Sequence, residues 1–271
     1  DAGYAADHAG TMGTSSLAMS VLDEGTRKRS ALEISEQLAL LGASIGSGSN
    51  LDNSSVSLNA LKENLDESME IYADVILNPE FPEAEFERLR KLQLAAIQRE
   101  KVTPMSMALR VLPGLLYGSD HAYSLPFSGS GTEASVMSLT RDDLVSYHDT
   151  WFKPNNATMV VVGDTTLAEV MPKLERYFGA WQPGPVPQKN IATVSQSNGG
   201  TVYLLDRPDS EQTVIIAGRL VAPKANDNEI GIQTANDIFG GDFTSRINLN
   251  LREDKHWTYG ARSLLVDSKG Q

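Results

Sequence analysis

The sequence predicts an α+β protein built from two similar repeats, each a mostly antiparallel sheet with helices packed on one face, the second repeat cut short. Three observations carry this. Apolar residues recur at helical spacing in some segments, as at Ile34, Leu38 and Leu41, and alternate in others, as at Val56, Leu58 and Ala60. Segments of both kinds fill residues 1–180 and start again after residue 198, an order that suits helices on one side of a sheet. Between them, residues 181–198 are rich in Pro and end near Gly199-Gly200, the composition of a linker. The expected domains are therefore 1–180, a linker at 181–198, and an incomplete repeat at 199–271.

The elements follow in order. "GTSSLAMSVLDEGT" (13–26) reads as an amphipathic helix with Ser16 and Ser20 four residues apart on one face and Met19 just before the second. Ser30 and Glu33 form a capping-box pattern for a helix that Gly42 ends. "SSVSLNALKENL" alternates as a strand. "LDESMEIYADVIL" is a helix stopped by Asn78-Pro79, and another begins at Pro82 and runs through "EAEFERLRKLQLAAIQRE". Thr103-Pro104 opens a further helix that Pro113 is expected to kink or interrupt. "YGSDHAYSLPFSGSGTE" is a loop. Thr140 and Asp143 cap a helix ending near Trp151, "ATMVVVGD" reads as a strand, and "TLAEVMPKLERYFG" as a helix closed by Gly179. After the linker, "TVYLLDRP", "QTVIIAGRL" and "TYGARSLLV" read as strands, and "DNEIGIQTANDIFGG" and "TSRINLNLRED" as helices.

Composition narrows the function classes. The chain has 271 residues, of which 41% are hydrophobic, enough for one large or two medium domains. Its 23 basic and 35 acidic residues leave a net charge of −12, and no basic cluster of the kind a nucleic-acid surface needs is present. The most basic run, "RLRKLQLAAIQREK", alternates with apolar residues and reads as a solvated helix face. The absence of cysteine removes disulfides, thiolate metal sites and a cysteine nucleophile. No apolar run reaches the ~20 residues of a membrane-spanning helix. "DAGYAADHAG" has neither an initiator Met nor a signal peptide, which points to a chain taken from a longer one.

Few residues offer chemistry. His8, His121, His148 and His256 have no ligand-like spacing. Neither serine of the first helix sits in a Gly-x-Ser-x-Gly elbow. Gly240-Gly241 lacks the lysine of a phosphate loop and suits a helix end equally well. Asn53-Ser54-Ser55 and Asn156-Ala157-Thr158 match a glycosylation acceptor that is frequent by chance. There remains "LREDKHWTYG", where Arg252 closes a predicted helix and Tyr259 opens a strand seven residues on. A guanidinium and a neutral phenol held together can hydrogen-bond a substrate carbonyl as it becomes an oxyanion. A helix-end salt bridge for Arg252 and half-buried packing for Tyr259 explain the same residues, and spacing alone favours that plainer reading.

"FGGDFTSRINLNLREDKHWTYGARS" resembles the second repeat of insulinase/pitrilysin-type zinc peptidases of the processing-peptidase branch. The first-half stretches "GTSSLAMSVLDEGTRKRSALEISEQLALLGASI", "YGSDHAYSLPFSGSGT", "YHDTWFKPNNATMVVVGD" and "LERYFGAW" match in order, so the resemblance covers essentially the whole chain. Active halves of that family carry a His-x-x-Glu-His helix and a distal glutamate. Aligning the Gly-Thr turns places the first His on Ser16, the Glu on Met19, the second His on Ser20 and the distal Glu on Ala96. Hydroxyls are poor zinc ligands beside imidazole, and a thioether is no general base.

The resemblance therefore implies a non-zinc half, inactive alone and holding no metal or other cofactor. It would close a clamshell peptide chamber beside a zinc-bearing half, supplied upstream on the same polypeptide or as a separate subunit, with the zinc on that partner. It places Arg252 and Tyr259 on the pair that reaches the scissile carbonyl. The substrate implied is a peptide of limited size, with basic peptides favoured by the acidic balance. No nucleic acid or membrane span is expected, and the family points to a bacterial periplasm or cell envelope. The alternative is a non-proteolytic scaffold or binding subunit with the same fold.

Overall fold

The structure is a computed structural model and describes residues 1–196 and 199–271. The last two positions of the expected linker lie outside the described residues. The chain divides into two compact units: Asp1–Asn190 with Gly199–Gly218, and Arg219–Gln271 with the stretch that begins at Ile191.

The first unit begins with a 3₁₀ turn, Tyr4–Ala9, and helix α1, Thr14–Val21. Helix α2 spans Ala31–Leu40, with Ser30 and Glu33 capping each other's backbone as the sequence predicts. Gly42, at φ +62, reverses the chain after it, a conformation that costs glycine little. Strands β1, Ser44–Ser49, and β2, Ser54–Asn59, pair antiparallel from Ser44↔Asn59 to Ser49↔Ser54. The Asn50 side chain holds their turn by accepting the Asp52 and Asn53 amides at 3.1 and 2.8 Å. β2 follows the predicted alternation; β1, with glycine and serine at most positions, carries too little apolar signal to be read from sequence.

Helices α3 (Leu65–Leu77), α4 (Glu83–Val102), α5 (Pro104–Tyr117), α6 (Glu133–Ser138), α7 (Arg141–Trp151) and α8 (Leu167–Phe178) complete this unit. The expected interruption at Pro113 does not occur: α5 runs through it, with Pro113 buried. Packing here outweighs the hydrogen bond and clearance that an internal proline forfeits.

The core forms around α1, whose Leu17, Met19 and Val21 are buried together with Ile34, Val75, Phe86, Ile97, Leu139 and Leu144 from the surrounding helices. Each such side chain contributes about 1.5–3 kcal/mol through burial. The Pro-rich segment after α8 is fastened to the same unit. Trp181 Nε1 donates to the Phe152 carbonyl, Asn155 exchanges two bonds with Gly184, and the Lys189 ammonium contacts Asp1 Oδ1 at 2.7 Å and the Ala2 and Asp52 carbonyls at 2.9 Å.

The second unit contains α9 (Glu229–Asn236), continued by wide π turns over Asp237–Gly241, and the short α10 (Arg246–Asn248), continued likewise over Leu249–Asp254. Both predicted helices are thus present. The strands expected at "ATMVVVGD", "TVYLLDRP", "QTVIIAGRL" and "TYGARSLLV" are not: among the described residues β1 and β2 form the sheet. Val160 and Val162 are 79% and 91% exposed. Alternation marks a chain fit for a half-buried pleated surface, and without a paired neighbour it forms no ladder. The fold is α+β, a small antiparallel hairpin among many helices.

Candidate functional site

The first helix owes its geometry to a residue outside it. Gly13, at φ +94, leads into α1 and has no side chain to cap it. Asp7, on the preceding 3₁₀ turn, serves instead. Its carboxylate accepts the Gly13 amide at 2.8 Å, the Ser15 amide at 3.0 Å and the Ser15 hydroxyl at 3.1 Å, meeting donors that an α-helix leaves unpaired. Burial pushes the Asp7 carboxyl up to about 7, against the pull of these donors toward the ionised form.

Of the four positions that the resemblance aligns with zinc ligands and base, Met19 is buried in the core, Ser16 and Ala96 are half-buried and Ser20 is exposed. Ser16 donates to the Gly129 carbonyl at 2.9 Å, and Ser20 donates to the Ser16 carbonyl one turn back at 2.9 Å. Met19 is 1% exposed within the core, and its carbonyl accepts the Ser47 hydroxyl of β1. Helices α1 and α4 pack together, so the helix that bears Ala96 lies against the helix that bears Ser16 and Ser20. What α4 sends toward the start of α1 is Gln93, whose amide donates to the Gly13 and Ser130 carbonyls at 3.1 and 2.9 Å. Two committed hydroxyls, a buried thioether and a methyl do not fit zinc. Among the described residues no group of three or more His, Asp or Glu side chains is arranged to hold a metal ion.

The loop over this place is built for close approach. A Cβ on Gly129, at φ +66, would lie 2.5 Å from Tyr4 Cδ1, and one on Gly131, at φ +77, would lie 2.5 Å from the Met12 carbonyl oxygen. Arg110 ties the loop down by pairing with Glu100 and donating to the Ser130 hydroxyl at 2.8 Å. Sequence reasoning missed Asp7, Gln93, Glu100 and Arg110, each far in sequence from what it holds. The alternating glycines of "SGSG" were the available signal.

The histidines are spent singly. His8 bonds the Ser119 carbonyl, His148 the Ile76 carbonyl and His256 the Arg252 carbonyl, while His121 accepts the Tyr123 amide. Burial holds His148 below the ordinary imidazole range.

In the second unit, Arg252 lies on the π turns after α10. Its guanidinium sits over the Phe243 ring, 4.6 Å from the centroid, and its Nε lies 3.4 Å from Glu253 Oε1. The helix-end ion pair is therefore present. The half-buried packing considered for Tyr259 is not: the side chain is 86% exposed, and its hydroxyl has no partner among the described residues. No hydrogen bond or ring contact joins Arg252 to Tyr259 among those residues. Residues 219–271 carry seven acidic and seven basic side chains, so the acidic surplus belongs to the rest of the chain.

Two family models divide the sequence. One described as "Peptidase M16 inactive domain" matches residues 138–270, and one described as "Insulinase (Peptidase family M16)" matches residues 1–113. The chain belongs to the M16 peptidase family. Among M16 relatives, an uncharacterized zinc protease of Mycobacterium leprae is 24% identical over 250 residues, spanning 90% of this chain and 55% of its own length. One of Bacillus subtilis is 22% identical over 241 residues, spanning 89% and 57%. The human mitochondrial-processing peptidase subunit beta is 25% identical over 179 residues, spanning 66% and 36%. The chain thus spans little more than half the length of the bacterial relatives. The crystal structure of a peptidase M16 inactive domain from Pseudomonas fluorescens shares the fold, with a TM-score of 0.81 over 98% of this chain and 64% of that one at 22% identity. The chain is an inactive-domain half of a zinc-protease family.

Proposed function

We propose that this M16 chain closes a clamshell peptide chamber and lends Arg252 and Tyr259 to a zinc site carried by a His-x-x-Glu-His half, either upstream on the same polypeptide or on a separate subunit. The observation that carries the reading is the Tyr259 hydroxyl, which faces solvent unpartnered within the region that matches the inactive domain. A free phenol costs little to aim at a ligand, because no internal bond must first break. Tyr259 donates to the peptide carbonyl oxygen as negative charge develops there, and Arg252 fixes the peptide backbone beside it. Hydrolysis itself belongs to the partner half, since Ser16, Met19, Ser20 and Ala96 supply neither ligand nor base.

The test combines the purified chain with its zinc half. Activity is expected only in the mixture, and metal analysis of the chain alone is expected to find no stoichiometric zinc. One tightly held zinc in the lone chain defeats the reading. One observation favours a scaffold instead: Arg252 engages Phe243 and Glu253 rather than Tyr259. A scaffold predicts that the Arg252→Ala and Tyr259→Phe variants leave proteolysis by the mixture unchanged.

A further inference from the structure

From the second unit we infer that Asn248 is a positioning residue that couples the platform under Arg252 to the segment bearing Tyr259; this rests on the function proposed for that pair. Asn248 is 3% exposed, and both ends of its amide are used. Nδ2 donates to the Phe243 carbonyl at 2.6 Å, and Oδ1 accepts the Ala261 amide at 3.0 Å. Phe243 is the residue whose ring carries the Arg252 guanidinium, and Ala261 lies two positions after Tyr259. One side chain therefore bonds the backbone at the foot of the arginine platform and the backbone just past the tyrosine.

Other bonds give that side chain leverage. The Ser263 amide donates to the Gly240 carbonyl at 2.8 Å, and the Trp257 amide to the Leu251 carbonyl at 3.0 Å. These restrain the chain well before and well after Gly260 without restraining Tyr259 itself. Gly260 takes only a side-chain bond, from its amide to the Thr258 hydroxyl, while the Thr258 hydroxyl donates to the Gly260 carbonyl. The stretch from Tyr259 to Ala261 is thus held at its far end by Asn248. A buried amide satisfied at both ends orders its neighbours because any slip strands a polar group away from water. Tyr259, whose side chain makes no hydrogen bond among the described residues, takes its position from that bond and from the Thr258–Gly260 pair that brackets it.

The experiment has two arms. In the isolated chain, Asn248→Leu is expected to speed hydrogen exchange at the Ala261 amide by about tenfold and to move the Arg252 Nε–H resonance as Phe243 shifts, whereas Tyr259→Phe moves neither. In the mixture with the zinc half, Asn248→Leu is expected to lower kcat with KM unchanged, and the Asn248→Leu/Tyr259→Phe double variant to be no slower than Tyr259→Phe alone. Unchanged Ala261 exchange, or losses that multiply in the double variant, overturns the inference. Should Asn248→Leu not fold, Asn248→Asp replaces it: the acid keeps an acceptor for Ala261 but offers the Phe243 carbonyl a donor only when protonated. Compared with the parent at each pH, so that protonation of Glu253 beside Arg252 cancels, the Arg252 resonance of the variant must then converge on the parent's as pH falls, and a separation that does not change with pH overturns the coupling. If Tyr259→Phe alone leaves turnover intact, the functional reading fails while the exchange arm still judges Asn248.

Discussion

The Arg252 guanidinium rests over the ring of Phe243 while the Tyr259 hydroxyl stands in water, so the two groups proposed to meet the substrate are prepared differently. An arginine stacked on an aromatic face has already given up part of its freedom, for a gain of about 0.5–1 kcal/mol at an exposed site. A tyrosine in solvent has given up none. Arg252 is thus held in place in the free chain while the Tyr259 phenol is left exposed.

Tyr259→Phe is expected to reduce turnover of the mixture with the zinc half by about 100- to 1000-fold, the usual loss of one donor to a developing oxyanion. Thermal unfolding of the lone variant should match the parent within about 0.5 kcal/mol, because an exposed hydroxyl without a partner holds nothing in the fold. A lowered melting temperature would return Tyr259 to a structural role.

Gly129→Ala is expected to destabilise the chain more than Gly118→Ala, although both are expected to cost stability. Both glycines have positive φ, +66 and +78, but a Cβ at Gly129 meets the Tyr4 ring at 2.5 Å and one at Gly118 meets nothing within 4 Å. The positive φ alone costs an alanine about 1–3 kcal/mol at either position, Gly118 at ψ 162 lying where little but glycine is found, and overpacking adds about 1–3 kcal/mol at Gly129. Urea denaturation of the two variants measures the difference.

The pH dependence of stability should change when Asp7 is replaced. Its folded pKa is raised, so the folded state holds the proton more tightly, and the contribution of this group is fullest below pH ~4. It then declines as pH rises to about 7, the value to which burial pushes it. His148 has the opposite sign, because burial lowers its pKa and its contribution falls away on acidification. Comparing Asp7→Asn with the parent cancels the histidine. The stability of the parent relative to Asp7→Asn should therefore fall as pH rises from 4 to about 7, and a difference constant across pH 4–8 would refute the assignment.

Ser245→Ala is expected to stabilise the second unit by about 1 kcal/mol. Ser245 is 3% exposed and its hydroxyl has no hydrogen-bond partner among the described residues, so removing it relieves an uncompensated desolvation. A variant less stable than the parent would show that the hydroxyl is used.

Much of the first unit was legible in the sequence because its signals are local. Ser30 with Glu33, Thr140 with Asp143, and Gly179 each announce a helix boundary through bonds spanning three or four residues. Strand β1 was not legible, since "SIGSGS" owes its conformation to the partner across the hairpin. The four unpaired strand predictions failed for the complementary reason: alternation states that a segment can pair, and a ladder also needs something to pair with. At the vestigial site the loss of zinc ligands could be read residue by residue, while Asp7, Gln93 and Arg110 act across six to eighty positions and leave no periodic trace.

The Ser16–Gly129 bond also bears on whether a metal ligand could be placed at position 16. A histidine at position 16 in the serine's rotamer would drive its ring into the carbonyl that Ser16 now binds, and the loop cannot retreat without breaking what Gln93 and Arg110 hold. In that rotamer the helix and the loop would have to change together. Placing a metal ligand on this face of α1 is thus opposed by the hydrogen bonds that hold the covering loop as well as by the residue types on the helix.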